Sequence, residues 1–345
     1  MPNDKQAERR DARTDPAARV APGPGSRPAS HDDITGAVTM ADAWPSLELR
    51  DWGATYDTLH MWTQIVGKTR LALAPPENHW WHVCLYVTPR GLTTSAIPNG
   101  ENTFAVDFDF IDHRLYVRTS DGVTRELALR PRTVADFFAE YRDMVHSSGI
   151  APRIRGVPVE VETAIPFAED TQHRSYDPEA ATRWWRILLG CDRVFKRFRG
   201  GFAGKGSPVH FFWGSFDLAT TRFSGRSAPP HPGGVPNCPD YVMREAYSHE
   251  CSSVGFWPGG GAVAEPAFYA YAYPEPSGYG DRGVRPEGAF FSHDLREFVL
   301  PYEIVRRAGS PDETLLAFCR STYDVAADLG HWDRIALDRP AGVAR

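Results

Sequence analysis

The amino-acid sequence predicts an α+β protein made of two diverged copies of one unit, in which a helix, antiparallel strands and a second helix follow one another. Two observations favour this class. Segments whose apolar residues recur at helical spacing flank short segments rich in aromatic and β-branched residues, which are typical of strands. The same order of elements then occurs a second time, and we expect the two copies to pack about a pseudo-twofold axis.

The first copy covers residues 44–150. It is predicted to contain, in order, a helix from Tyr56 to Arg70, a strand from His79 to Thr88, an alternating strand from Phe104 to Phe110, a hairpin that turns at Ser120–Gly122, and a helix from Val134 to Ser148. Thr133 is the expected N-cap of the second helix, and Gly149 is the residue that ends it.

The second copy covers residues 177–333 and follows a Pro-rich linker, residues 151–176. It is predicted to contain a helix that opens at Asp177, a strand from Ser207 to Phe223, an alternating strand from Pro266 to Tyr273, a hairpin that turns at His293–Asp294, and a helix that opens with the capping box Ser310–Glu313 and ends near Gly330.

The correspondence between the copies extends to single residues. At one constant offset, three residues of the first helix match three of the third: Trp62, Ile65 and Gly67 match Trp185, Leu188 and Gly190. His79 then matches His210 once a short insertion is allowed in the second copy. The ordered series of matches is what indicates an internal duplication.

Composition excludes several classes of function. The net charge of −6 argues against a protein that binds nucleic acid or anionic membranes. No apolar run approaches the roughly 18 residues of a membrane-spanning helix. The five cysteines lack C-x-x-C spacing, which indicates reduced thiols and a cytoplasmic location. Oligomeric state is left open by the sequence.

The two ends of the chain are expected to be disordered. Residues 1–43 contain no secretory signal and are rich in Pro, Arg, Asp and Ala, so they bury too little apolar surface to fold. Residues 334–345 are expected to form a disordered tail.

Paired histidines are the main candidates for chemistry. Side chains alternate along a strand, so His79 and His210 would each precede an apolar row in matching positions of the two copies. Packed about a pseudo-twofold axis, they would approach each other in a shared cavity. Neutral imidazole ligates metal ions or transfers protons near neutral pH. The alternative is that both are structural, each bonded to a carbonyl at a strand start.

Two further candidates follow a long loop. His249 and Glu250 lie after the loop Gly225–Tyr241, which is either a lid over a binding site or a mere insertion. His79, His210, His249 and Glu250 are therefore the candidate catalytic residues, and the same four are the candidate ligands of a divalent metal ion. Asp217 and Arg222 also stand out, because the first copy has no matching charged pair there.

Several long motifs carry a family resemblance. The stretches TLHMWTQIVGK, NHWWHVCLYVTPRGLTTSAIP, SPVHFFWGSFDLATTRFSGR and SHECSSVGFWPGGG resemble an uncharacterised bacterial family, domain-of-unknown-function family 5996. The resemblance covers about residues 44–333. It implies no activity, cofactor or substrate, so it assigns no functional residue.

Two functions remain open. The first is a small-molecule enzyme, metal-assisted or not, with its site between the two copies and with aromatic side chains as the walls of a pocket. The second is a non-catalytic ligand-binding or sensing module with an aromatic-lined pocket. A third, weaker option is a scaffold that acts through its N-terminal arm.

Overall fold

The structure is a computed structural model that describes residues 43–260 and 263–340. The predicted N-terminal arm, except for Ala43, lies outside the described residues, and so do the last five residues of the predicted tail. No helix of the described ranges is long and apolar enough to cross a membrane.

The described chain is α+β, as predicted. Its helices are α1 (Leu49–Leu73), α2 (Val134–Ser147), α3 (Pro178–Gly200), α4 (Asp240–Ala246), α5 (Tyr302–Arg306), α6 (Pro311–Leu329) and α7 (Arg334–Leu337). Its strands are β1 (Tyr86–Thr88), β2 (Gly91–Thr93), β3 (Ile97–Asn99), β4 (Asn102–Asp109), β5 (Arg114–Thr119), β6 (Thr124–Ala128), β7 (His210–Phe212), β8 (Asp217–Ser227), β9 (His249–Trp257), β10 (Ala267–Tyr273), β11 (Phe290–Ser292) and β12 (Glu297–Pro301). Short 3₁₀ segments span Asn78–Val83 and Tyr279–Asp281.

The strands form two antiparallel sheets. The first has the order β1-β2-β4-β5-β6, with β3 also paired to β4, and the second has the order β11-β12-β10-β9-β8-β7. Each half of the described chain therefore runs from a long helix through six strands to another long helix. The internal duplication and the pseudo-twofold relation between the halves both stay predictions.

The two sheets are joined at their edges by one backbone pair. The amide of Leu85 donates to the carbonyl of Phe211 at 3.0 Å, and the amide of Phe211 donates back to Leu85 at 2.8 Å. Leu85 follows the 3₁₀ segment Asn78–Val83 after one residue, so the pair places that segment beside the second sheet.

Stacked aromatic rings form the centre of the core. Trp62 of α1 stacks on Phe137 of α2, with ring centroids 4.5 Å apart. Trp184 of α3 stacks on Phe216 at 4.8 Å. All four side chains are fully buried, and such rings contribute the largest apolar areas to a core.

The predicted caps of two helices are confirmed, and the third differs. Thr133 and Asp177 accept hydrogen bonds from the first turns of α2 and α3. Ser310 makes no such bond, although α6 does begin there. Asp312 instead accepts from the Trp44 indole at 3.0 Å and pairs with Arg193, because these partners lie across the helix end.

The strand predicted from His79 to Thr88 is wrong over its first half. His79 and Trp80 have φ of 57° and 61°, a left-handed backbone that no strand contains. The strand predicted from Ser207 to Phe223 is also wrong as one piece, because the chain reverses between β7 and β8, where Phe216 has φ of 59°. His79 is therefore not at a strand start, whereas His210 is.

The predicted disordered tail begins too early. Residues 334–337 form α7, and the amide of Ala203 donates to the carbonyl of Leu337 at 2.7 Å. Backbone pairing with the end of α3 thus orders the chain beyond the predicted boundary. The linker, residues 151–176, has no helix or strand, but Phe167 is buried against Phe138.

We predict that Gly67→Ala lowers the free energy of unfolding by about 1–3 kcal/mol, because the new methyl group would overlap the Trp213 indole. Gly53→Ala in the same helix is the control. Its methyl group meets only Leu49 at ordinary distance, so it should leave stability unchanged or raise it by up to about 1 kcal/mol. Urea unfolding measures both, and equal effects would contradict the close packing of α1 on Trp213.

Candidate functional site

A cavity of about 290 Å³ lies over one face of the second sheet. Strands β8, β9, β10 and β12 form its floor, and the 3₁₀ segment Asn78–Val83, Glu160 of the linker and helix α4 lie around it. The volume is at the lower end of the roughly 300–1,000 Å³ usual for small-molecule sites.

Strand register explains why the floor carries polar side chains. Thr221 is paired with Ser253, and Ser253 with Tyr271, and all three line the cavity. Side chains alternate along each strand, so neighbouring residues such as Leu218 and Phe268 enter the core on the other face. The second sheet therefore has one apolar face and one face that forms the cavity floor.

A glycine on β9 leaves room for one tyrosine side chain of β10 to lie across the strands of the cavity floor. Tyr269 on β10 is paired with Gly255 on β9, and a Cβ atom at Gly255 would overlap the Tyr269 ring. The ring lies over β9, and its hydroxyl donates to Oδ2 of Asp217 on β8. The Ser215 hydroxyl donates to Oδ1 of the same carboxyl.

Three carboxyl groups line the cavity: Asp217, Glu160 and Glu297. Burial raises the pKa of Asp217 to about 6, against the lowering effect of its two hydroxyl donors. Burial, followed by the charge of Asp217, raises the pKa of Glu297 to about 8. The same two causes raise the pKa of Glu160, although this residue as a whole is exposed. Within the described ranges, none of the three has an ion-pair partner, and Oε2 of Glu297 is buried without a hydrogen bond.

The linker positions Glu160. Its amide donates to the carbonyl of Pro236 at 2.8 Å, and its φ of 59° is left-handed. The carboxyl lies against Gly214, where a Cβ atom would overlap it. Glu160 keeps accessible surface, which it contributes to the cavity that it lines.

Three cavity-lining residues have a left-handed backbone. His79, Trp80 and Glu160 have φ between 57° and 61°. Such a conformation costs a residue other than glycine about 1–3 kcal/mol, and it occurs most often at functional sites. Here it directs three side chains, those of His79, Trp80 and Glu160, to the cavity wall.

His79 is a neutral imidazole with both nitrogens engaged. Nδ1 donates to the carbonyl of Ala246 at 2.9 Å, so Nε2 is left to accept from Nζ of Lys205 at 2.7 Å. Burial and then the charge of Lys205 lower the pKa of His79. The imidazole thereby ties the end of α4 to the 3₁₀ segment Asn78–Val83.

The four residues predicted from sequence do not converge. The His79 and His249 rings lie 5.5 Å apart, but only His79 lines the cavity. Trp81 separates His79 from His210, with centroid distances of 5.4 Å and 5.9 Å. Glu250 is paired with Arg226 at 2.6 Å, away from the cavity.

His210 is buried among aromatic rings. Neither of its ring nitrogens has a hydrogen-bond partner in the described chain, and burial lowers its pKa to about 3. Within residues 43–260 and 263–340, no three His, Cys, Asp or Glu side chains are grouped as a metal ion requires.

A comparison of the sequence with protein families gives one match. The family is described as a family of unknown function (DUF5996), and its model matches residues 44–339. The chain belongs to the DUF5996 family. Searches of curated proteins and of solved structures gave no match.

Sequence reasoning missed most of the polar groups of this DUF5996 cavity. Of the unmatched charged pair Asp217 and Arg222, only Asp217 lines the cavity, and Glu160, Glu297 and Tyr269 were not singled out. The alternation of Tyr269, Tyr271 and Tyr273 in β10 was the available signal, since it places three hydroxyls on one sheet face.

In this DUF5996 protein, Tyr269→Phe should lower the free energy of unfolding by about 1–3 kcal/mol at pH 8, because the buried Asp217 carboxylate loses a donor. The loss should be smaller at pH 5, where that carboxyl is protonated. Tyr273→Phe, whose hydroxyl bonds the Pro229 carbonyl at the surface, is the control. Urea unfolding at both pH values measures the effect, and equal losses would contradict it.

Glu297→Gln should change how stability depends on pH. The folded state raises the pKa of Glu297 from 4.5 to about 8, so its contribution to stability is complete below about pH 4.5 and is lost as pH rises through about 8. The variant lacks this loss and should gain stability relative to wild type between pH 5 and pH 8.5. Glu126→Gln, an exposed residue paired with Arg114, controls for the charge. The prediction would be refuted if both variants changed the free energy of unfolding by the same amount, relative to wild type, at each pH.

Proposed function

We propose that this protein is an enzyme that acts on a small molecule in the cavity between the 3₁₀ segment Asn78–Val83 and the second sheet, and that it transfers protons through carboxyl groups. One observation carries the proposal. Three carboxyl groups without a basic partner in the described chain line a single cavity with aromatic walls.

The environments of the carboxyls support different roles. Asp217, held by Ser215 and Tyr269, has a pKa of about 6 and is mostly ionised near neutral pH, as a general base must be. Glu297 has a pKa of about 8 and is mostly protonated there, as a general acid must be. Carboxyls whose pKa values are pushed apart are a common acid–base arrangement.

The surroundings suit chemistry in a partly dry site. Trp81, Phe223 and Trp257 line the cavity and limit the water around the carboxyls, which strengthens electrostatic interactions within it. His79 acts here as a positioning residue, because both its nitrogens are occupied by Ala246 and Lys205.

A non-catalytic ligand-binding module is the second candidate. The aromatic walls favour it, because Trp81, Phe223 and Trp257 line the cavity and could contact an apolar or planar ligand. The two functions differ in turnover: a binding module returns its ligand unchanged.

We predict that the purified full-length chain converts at least one compound in a small-molecule extract, detected by mass spectrometry as a substrate that disappears with time and a product that grows. Asp217→Asn and Glu297→Gln should each slow that conversion by about 10²-fold or more, since each removes a proton-transferring group.

Glu126→Gln lies outside the cavity and should convert the compound at the wild-type rate. Circular dichroism confirms that each variant is folded. Binding of a compound without any product would instead favour the binding module. Conversion that persists in both cavity variants would overturn the proposed acid–base roles.

A further inference from the structure

The charged side chains that line the cavity are acidic. Among the described residues, its lining includes three carboxyls and one imidazole but no lysine or arginine. Outside this lining, the amine of Lys205 donates to His79 and lies over the rings of Trp81 at 5.4 Å and Phe223 at 5.2 Å. The ionisable groups that a ligand would meet on the cavity surface are therefore mainly carboxyls.

The carboxyl groups have fewer hydrogen-bond donors around them than they can accept. Among the described residues, the side chains that donate to Asp217 are the uncharged hydroxyls of Ser215 and Tyr269. Oε2 of Glu297 is buried without a hydrogen bond, and the Glu160 side chain has none among the described residues. A carboxylate can accept about four hydrogen bonds, and an ammonium group supplies three donors and no acceptor.

The walls are suited to the same kind of ligand. The rings of Trp257, Tyr269 and Tyr271 line the cavity, with the two tyrosine rings 8° from parallel. Aromatic faces attract cations within about 6 Å of the ring centroid, most strongly where water is excluded.

We propose that the cavity binds a small organic ammonium ion on an apolar or aromatic body, with Asp217 as its counter-charge, Glu297 as a second hydrogen-bond acceptor and the aromatic walls around its body. This inference rests on the cavity being the site of the proposed function, and it names the substrate class. Anionic ligands are disfavoured by all three carboxyls, and a neutral ligand leaves the carboxylate charge uncompensated.

The ligand class sets the pH dependence of binding. Between pH 6 and pH 8 the three carboxyls lose protons, which creates the negative charge that an ammonium ion needs. Affinity should therefore rise with pH over this interval, and binding should release protons. Lys68, near Cys238, has its pKa lowered to about 8 by burial and acts in the same direction when it loses its charge.

The other titratable groups that face the cavity do not change charge in this interval. Burial raises the pKa of Cys238 to about 11 and that of Cys251 to about 12. Burial also raises the pKa of the three cavity tyrosines, Tyr247, Tyr269 and Tyr271. The pKa of His79 is lowered, so its imidazole stays neutral.

Isothermal titration of the full chain with matched probes tests the proposal. The amines are butylamine, phenethylamine and tryptamine, their neutral counterparts are 1-butanol, 2-phenylethanol and tryptophol, and 3-phenylpropionate is the anion. At least one amine should bind about tenfold or more tightly than its alcohol at pH 8, and the preference should shrink at pH 6. Titration in two buffers of different ionisation enthalpy should show proton release.

Variants locate the interaction. Asp217→Asn and Glu297→Gln should each weaken amine binding by about fivefold or more while leaving the affinity for the alcohol within about twofold. Glu126→Gln should change neither. The pair of cavity variants keeps the test decisive if one of them fails to fold.

Two outcomes overturn the inference: no amine binds more tightly than its alcohol, or the preference persists in both cavity variants. Tighter binding of a neutral sugar such as methyl glucoside would do the same. Failure of the enzyme proposal looks different, because amines would then bind as described but no compound would be converted. Conversion of a neutral or anionic compound would contradict the proposed ligand class but would still support the enzyme proposal.

Discussion

The reciprocal backbone bonds between Leu85 and Phe211 are the constraint on which the site depends. They join two antiparallel sheets whose other strand pairs lie within one sheet, and they hold the 3₁₀ segment Asn78–Val83 beside β7. Without this joint, the second sheet would present its polar face to water. With it, residues from both halves of the chain enclose one cavity, in which buried carboxyls have raised pKa values.

The two faces of the second sheet have different roles: one contributes to the core and the other forms the cavity floor. One face contributes Leu218, Phe256 and Phe268 to the core, where burial of apolar area stabilises the fold. The other carries hydroxyls, carboxyls and aromatic rings that surround a space. Strand alternation allows both in one stretch of sequence, because adjacent residues belong to opposite faces.

Most of the fold could be predicted from sequence, whereas most of the site could not. Helical periodicity and caps such as Thr133 and Asp177 act locally, so α2 and α3 were placed within a residue or two. The left-handed backbone at His79 is imposed by distant partners, Ala246 and Lys205, and no local pattern signals it. Glu160 comes from a linker without secondary structure and reaches the cavity only through tertiary contacts, so its role was invisible in the sequence.

The unpartnered carboxyls have a consequence for laboratory evolution of this fold. Charged Asp217, Glu160 and Glu297 in a shared cavity cost folding free energy that neutral or apolar side chains of similar size would not. A library selected only for survival of heating would accumulate replacements at these three positions. Where a replacement raises resistance to heat, the native residue is one that the protein keeps for activity and not for stability.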